Sequence, residues 1–263
     1  MSYNIMLFEP EIVDKAWFAG QAYRQRVTKT VKDWCIQENA DLCFNLGIFG
    51  LSTGLGCSYV RAKGKDIAYG SEKPHILTLN EANQCRGYSD GIVEQKISIN
   101  VPMGGTRTRN GVGMTYDGTI IVAQTDHGVT EAVFCNTVNN FVKDRGKAVR
   151  LFTLQDGGMS TQEYSALSSL NFAPERGRPV ANVLCIKLKR GIIITQPVYK
   201  DVKGRNAELV QIAVGGISCD RRCGPATAAR IKAAQKAWGW DTPLQCGVAS
   251  YLTLKKLGFV IGF

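Results

Sequence analysis

The hydrophobic and polar positions divide the chain into two regimes that meet near Gln196-Pro-Val-Tyr-Lys-Asp-Val-Lys-Gly-Arg205. Ahead of that segment, apolar runs alternate with glycine turns and one strong helical pattern. Behind it the spacing is almost wholly helical. Thr28 to Ala40 places Val31, Trp34 and Cys35 on one face and reads as a helix, feeding an apolar strand over Asp41 to Phe44. Leu51 to Asn100 carries no usable pattern. Tyr116-Asp-Gly-Thr119 predicts a hairpin whose two-residue turn uses Asp117 and Gly118 at positive φ. Glu131 to Asp144 is the clearest helix, with Val133, Phe134, Val138, Phe141 and Val142 on one face and Gly146 as its stop. The β-rich run Ala148-Val-Arg-Leu-Phe-Thr-Leu154 follows. Strand, helix and strand in alternation predict an α+β domain with a mixed sheet over residues 1–196, joined to a small helical domain over 197–263.

The helical part contains an imperfect repeat. Cys223-Gly-Pro-Ala-Thr-Ala-Ala-Arg-Ile231 aligns with Cys246-Gly-Val-Ala-Ser-Tyr-Leu-Thr-Leu254, so that Thr227 and Ser250 would each cap a helix. Arg230 to Trp238 continues the intervening helix.

Composition narrows the class. A 263-residue chain with 44% hydrophobic and 21% charged residues is globular, of one large domain or one domain with an appendage. No run approaches the roughly 18 apolar residues that span a bilayer, so membrane insertion is not expected. The N-terminal Met1-Ser-Tyr-Asn-Ile-Met-Leu-Phe-Glu-Pro10 lacks the basic start and apolar core of a secretory signal, which places synthesis in the cytoplasm. Nine scattered cysteines read as reduced core fillers; with no Cys-x-x-Cys and no histidine near Cys219, Cys223 or Cys246, zinc is not expected. The net charge of +10 points to an acidic partner. No helix-turn-helix, finger or basic aromatic repeat accompanies it, so nucleic acid is not expected. A polyanionic bacterial wall fits the charge, as does solubility alone. From Pro197 onward, ten Lys and Arg face four Asp and Glu.

Candidate chemistry centres on Leu154-Gln-Asp-Gly-Gly-Met-Ser-Thr161. A strand stops at a carboxylate, Gly157 and Gly158 free the backbone to form an anion-binding nest, and Ser160 and Thr161 add hydroxyls. Asp156 is placed to handle a proton. The structural alternative is a tight turn in which Asp156 caps its own backbone.

Three further segments accompany this turn: Leu42-Cys-Phe-Asn-Leu-Gly-Ile-Phe49, Arg107-Thr-Arg-Asn-Gly-Val-Gly-Met-Thr-Tyr-Asp-Gly118 with its following strand to Asp126, and Gly177-Arg-Pro-Val-Ala-Asn-Val-Leu-Cys-Ile186. In this order the four resemble the phosphodiester glycosidase family, from about Val27 to Leu188. Leu46, Ile48 and Met159 depart from the family's glycine, phenylalanine and glycine. The resemblance implies a mixed-sheet phosphodiester glycosidase-like domain acting on a glycosyl-phosphate substrate. It implies Asp156 and Asp126 as acid/base carboxylates and Arg109 as the phosphate ligand, with Arg107 as the competing choice. Asn45 and Asn182 would bind sugar hydroxyls, with Gly47 beside Asn45; turn-capping is the alternative for each asparagine. Arg178 would be a second phosphate ligand or a partner for Asp156, and His127 could move a proton near neutral pH. No cofactor is implied, and a divalent metal is left open.

The part from Pro197 onward resembles the peptidoglycan-binding domain of wall hydrolases, through Cys223-Gly224, Thr227, Ile231 and Gln235 and the first helix Lys203-Gly-Arg-Asn-Ala-Glu-Leu-Val-Gln211. Together the two resemblances imply a bacterial or phage hydrolase that cleaves a sugar-1-phosphodiester in a wall polymer such as teichoic acid while a three-helix domain anchors it to peptidoglycan. Two alternatives stand beside it: a wall-binding or virion structural protein with an inactive glycosidase-like fold, and a hydrolase of a soluble nucleotide or sugar phosphodiester.

Overall fold

Strands such as Leu42-Cys-Phe44 and Val183-Leu-Cys-Ile186 read as unbroken apolar runs because both of their faces are buried. The computed structural model describes residues 2–20, 27–46, 60–68, 77–80, 83–85, 89–93, 105–240 and 247–262. Its centre is two five-stranded sheets. The first has the order β1 (Tyr3–Phe8), β10 (Ile120–Thr125), β9 (Asn110–Thr115), β11 (Val149–Gln155) and β8 (Ser89–Val93). The second has the order β13 (Leu170–Phe172), β12 (Glu163–Ser165), β3 (Leu42–Asn45), β14 (Asn182–Leu188) and β2 (Val13–Gly20). A smaller sheet holds β5 (Lys65–Ala68), β4 (Val60–Ala62), β7 (Asn83–Cys85) and β6 (Leu77–Asn80).

Side-chain alternation divides these strands among three apolar layers. Met6, Phe8, Phe44, Val122, Leu184 and Ile186 face the space between the large sheets. Ile5, Leu7, Ile121 and Ala123 face outward under α2 (Glu131–Lys143), which contributes Phe134, Val138 and Val142. Trp17, Cys43, Val183 and Cys185 face outward under α1 (Val31–Gln37), which contributes Val31, Trp34 and Cys35. Helix, sheet, sheet and helix thus stack in four layers. The six cysteines whose side chains are described are free, buried thiols.

The expected mixed sheet is corrected by this topology. β10 and β11 do run in the same direction, with α2 as their crossover, but β9 lies between them. Every strand pairing in both large sheets is therefore antiparallel. The hairpin also differs from expectation. Gly118 has φ +85°, whereas Asp117 is not left-handed, and Thr115 N donates to Thr119 O, so a three-residue loop closes it. β1, β2 and the strands between residues 60 and 93 were not expected from the pattern; the last group are only three to five residues long, too short for periodicity to register.

Beyond residue 197 come α3 (Arg205–Val214), α4 (Pro225–Ala237) and α5 (Tyr251–Lys256); β16 (Val260–Ile261) then pairs in parallel with β15 (Ile193–Ile194). Ala207 through Val214 are all buried, and Leu209, Val210 and Ile212 belong to the same apolar cluster as Phe8 and Phe44. One continuous core therefore extends on both sides of residue 197. Ser165 and Ser168 hydroxyls donate to the Ala213 and Val214 carbonyls, adding polar ties.

The helical repeat exists in a different register from the one the sequence suggests. Gln211 Nε2 donates to Arg222 O and Thr227 Oγ1, and Gln235 Nε2 donates to Val248 O and Thr253 Oγ1. The equivalent of Thr227 is thus Thr253. Thr227 caps no helix, and α4 starts at Gly224 without a side-chain cap; Ser250 does cap α5, accepting from Thr253 N.

Glu163 ties β12 to the end of α3. Asn4 Nδ2 donates to its Oε2 at 2.6 Å and Gly216 N to its Oε1 at 3.0 Å. Burial pushes this carboxyl up to about 7, against the opposing pull of Arg230, Asn4 and Gly216. A carboxyl raised on folding stabilises the fold in its protonated form. That contribution is complete below the unfolded value of 4.5 and is lost as pH rises through about 7. Denaturant titrations should show stability falling between pH 4.5 and about 7, with Glu163→Gln flattening the decline. An unchanged slope in the variant would reject Glu163 as its source. Separately, a Cβ at Gly113 would collide with Leu151 O and the Phe152 ring. Gly113→Ala should therefore cost about 1–3 kcal/mol in thermal or denaturant unfolding.

Candidate active site

Along the inter-sheet face of the first sheet, the apolar layers give way at one end to a row of amides. Asn4 pairs with Gln124, Gln124 with Asn110, and Asn110 with Gln155, so β1, β10, β9 and β11 each place one amide in a single transverse row. All four are buried. The second sheet answers this row through Asn45. Asn110 Nδ2 donates to Asn45 O, and Gln124 Nε2 donates to Asn110 Oδ1 at 3.3 Å and to Gln162 O at 2.9 Å. Asn45 Oδ1 accepts from Gln162 N at 2.9 Å, and its Nδ2 donates to Asp156 O at 2.7 Å. The amide network therefore fixes the backbone on which the candidate acid sits.

The turn after β11 is held on its other side by Thr108. Gly158 N donates to Thr108 O at 3.0 Å, and Thr108 Oγ1 lies 3.1 Å from Gly158 O. Thr108 O occupies the space where a side chain at Gly157 would begin, so glycine is required there. Ser160 N and Thr161 N donate back to Gly157 O and Gly158 O in a short 3-10 turn. The N–H groups of Gly158, Ser160 and Thr161 are thus spent within the fold, where the sequence suggested an anion nest.

Asp156 is largely buried but reaches the surface, its side chain 14% exposed. Arg178 Nη2 lies 3.1 Å from Asp156 Oδ2, and Arg178 Nε donates to Ser160 Oγ at 2.6 Å. Burial raises the Asp156 carboxyl above its ordinary value, outweighing the opposing effects of Ser160 and Arg178. The result is a carboxyl biased toward its protonated form beside a fixed guanidinium and hydroxyl. Such an arrangement can hold and deliver a proton next to positive charge.

The other expected residues fall into distinct places. Arg109 is buried and directed toward α2: its guanidinium donates to Val129 O and Gly105 O and lies 3.3 Å from Glu131 Oε1. Strand alternation explains this, because Thr108 and Asn110 take the face toward the turn and the second sheet. Arg178, rather than Arg109, is the arginine brought to Asp156. Arg107 is exposed, with its backbone bridged to Val129. Asp126 directly follows β10, two strands from β11, which is roughly 10 Å away at the usual strand spacing. Burial tends to raise Asp126, but the Ser2 hydroxyl and N–H and His127 outweigh it and hold it near about 2. His127 Nδ1 lies 2.6 Å from Asp126 Oδ1, and the ring packs edge-on to Tyr3. These two form a cluster separate from Asp156. Asn45 is committed to the network described above. Asn182 is buried, with its Oδ1 lacking a hydrogen-bond partner. Thr161 is buried with its hydroxyl 3.5 Å from that of Thr108. Leu46 is a core side chain between the sheets. Gly47 and Ile48 lie outside the described residues.

Sequence reasoning missed Thr108 and Glu175. Glu175 Oε1 accepts from Thr108 Oγ1 at 2.6 Å, bringing a second carboxylate to the Asp156 turn. It arrives on the same loop as Arg178, and its separation from Arg178 by two residues was the available signal. The amide row left no signal in the sequence pattern, although each member lies at or next to one end of its strand.

Among the described residues, two of the cavities flank the sandwich. The larger, ≈330 Å³, lies at the opposite end of the first sheet near Gly118, away from the carboxylates described here. The smaller, ≈250 Å³, includes Gln162, Glu163 and Arg178, the last of which also reaches Asp156. Chemistry, not size, favours the second. Among the described residues, no three His, Cys, Asp or Glu side chains converge as metal ligands, and no helix is long and apolar enough to cross a membrane.

No family model matches the chain, and no curated protein matches it. Among solved structures, it is similar to the catalytic domain of zebrafish N-acetylglucosamine-1-phosphodiester alpha-N-acetylglucosaminidase, auto-inhibited by its pro-peptide. The TM-score is 0.53 at 14% identity, over 72% of this chain and 83% of that one. A hypothetical protein from Synechocystis aligns with a TM-score of 0.45 at 9% identity, over 72% and 57% of the respective chains. The fold of this α+β chain thus resembles that of a phosphodiester glycosidase.

Proposed function

We propose that the protein is a hydrolase of glycosyl phosphodiesters, with Asp156 as the group that transfers the proton. The observation that carries this reading is the Asp156–Arg178–Ser160 cluster, mounted on a turn that both sheets hold, in a fold resembling a phosphodiester glycosidase. Hydrolysis breaks the bond between the anomeric carbon and the phosphate oxygen. Water supplies the oxygen that the carbon gains, and the departing phosphoryl oxygen takes the proton held by Asp156. Arg178 provides positive charge where the phosphate's negative charge develops. Glu175, an exposed carboxylate at the same turn, is available to accept the proton released by water.

We further infer that the substrate is an anionic glycosyl-phosphate polymer of the bacterial wall, such as teichoic acid, and that the protein acts there. The net charge of +10 and the basic excess after Pro197 support this reading. The segment 197–263 then serves as the wall-binding part, although its α3 also fills the common core. A second reading, a wall-binding protein without turnover, is favoured by the internal commitment of Arg109 and Asn45. Incubation with wall teichoic acid and with a GlcNAc-1-phosphodiester separates the two: product supports the hydrolase, and wall binding without product supports the second.

If Asp156 donates the proton, Asp156→Asn should lower kcat about 100-fold or more. The rate should fall as pH rises through a value above the ordinary 3.8, because the protonated form is the working one. Arg178 favours the ionised carboxyl, so Arg178→Ala should move that limb to higher pH while lowering the rate. A limb that stays in place in Arg178→Ala would remove Asp156 from the role.

A further inference from the structure

The loop from Ala173 to Val180 separates the Asp156 turn from the ≈250 Å³ cleft, and Arg178 contributes to both. The cleft is bounded by Lys32, Asn171, Phe172 and Arg176 as well as Arg178. Its one carboxylate, Glu163, has both oxygens hydrogen-bonded and lies close enough to Arg230 for the two charges to interact. Lys32 and Arg176 are exposed, and among the described residues neither has a hydrogen bond or ion pair; the Lys32 ammonium sits 5.9 Å from the Tyr164 ring. The cleft therefore carries unanswered positive charge.

The backbone points the same way. Arg176 and Gly177 are consecutive left-handed residues, with φ +69° and +65°. Glycine at 177 is required by packing, since a Cβ there would lie 2.7 Å from Gln162 Oε1. Nothing comparable requires arginine at 176, where a left-handed L-residue is strained and glycine or asparagine would be easier. Strained residues of this kind gather at ligand-binding sites. Here the strain holds a guanidinium at the rim of a basic cleft beside the candidate acid.

We propose that this cleft is a second anion-binding subsite, in which Lys32 and Arg176 take a phosphoryl group of an extended polyanion whose neighbouring unit lies at Asp156. This rests on the hydrolase reading and deepens it: the substrate carries at least two phosphates along one strand. A volume of ≈250 Å³ accommodates about one repeat unit, below the usual range for whole ligands.

The test is binding of a glycerol-phosphate hexamer, which has no glycosidic bond to cleave, against inorganic phosphate, followed by calorimetry. The wild type should bind the hexamer more tightly than phosphate. Lys32→Ala and Arg176→Gly should each weaken hexamer binding about threefold to fivefold. Arg176→Gly removes the charge while relieving the strain, so its thermal midpoint should stay level or rise. Lys143→Ala, on α2, should leave binding unchanged. Equal binding of hexamer and phosphate, wild-type affinity in both cleft variants, or an equal loss in Lys143→Ala would each overturn the subsite. Turnover of a GlcNAc-1-phosphodiester by the wild type is measured separately. Its absence overturns the hydrolase reading, and with it the placement of a scissile unit at Asp156, while the hexamer data decide the anion site independently.

Discussion

A buried row of amides is the constraint on which the rest of the site depends. Four adjacent strands of the first sheet place Asn4, Gln124, Asn110 and Gln155 side by side; from the second-sheet side Asn45 and Gln162 meet Asn110 and Gln124, and Glu163 meets Asn4. Sliding one sheet over the other would break these cross-sheet hydrogen bonds between buried groups, so the layer tolerates little of it. The apolar layers between the sheets supply the driving force for packing but allow many arrangements. The amide layer selects one. Because Asn45 Nδ2 holds the Asp156 carbonyl, the same selection fixes the position of the carboxyl.

Charge is then distributed according to what this frame leaves open. Arg109 and Glu131 are paired and buried on the α2 side, where they fasten a loop to a helix. Arg178 and Glu175 arrive on one loop from the second sheet, the first at Asp156 and the second at Thr108. Asp126 is held ionised by Ser2 and His127, whereas Asp156 is pushed by burial toward its neutral form. Two aspartates that directly follow strands of one sheet thus have their carboxyls shifted in opposite directions, and environment alone separates them.

The helical segment after residue 197 belongs to the same packing problem. α3 is buried along nearly its whole length and extends the cluster that lies between the sheets. Its Gln211 and the Gln235 of α4 repeat one device, an amide that ties a loop carbonyl to a threonine hydroxyl. A composition-based boundary is visible at 197 because element type changes there, yet burial continues through it. Helical spacing reports only the local period and is silent about what covers the apolar side.

By itself the sequence determined helix α1 with its buried face, helix α2 with Phe134, Val138 and Val142 inward although Val133, expected beside them, is exposed, the β9–β10 hairpin, and the strand leading to Asp156. These are local properties: period, caps, and a carboxylate beside two glycines. Arg178 as a partner for Asp156 was also legible as one of two options, from the residues around it. Only the tertiary structure decided that β9 lies between β10 and β11, so that every pairing in the large sheets is antiparallel. Tertiary structure likewise turned Arg109 toward α2, made Thr253 rather than Ser250 the equivalent of Thr227, and brought Glu175 to the turn through Thr108. Each of those outcomes depends on which strand lies beside which and which face it presents. Contacts between residues tens of positions apart leave no period in the chain from which to read them.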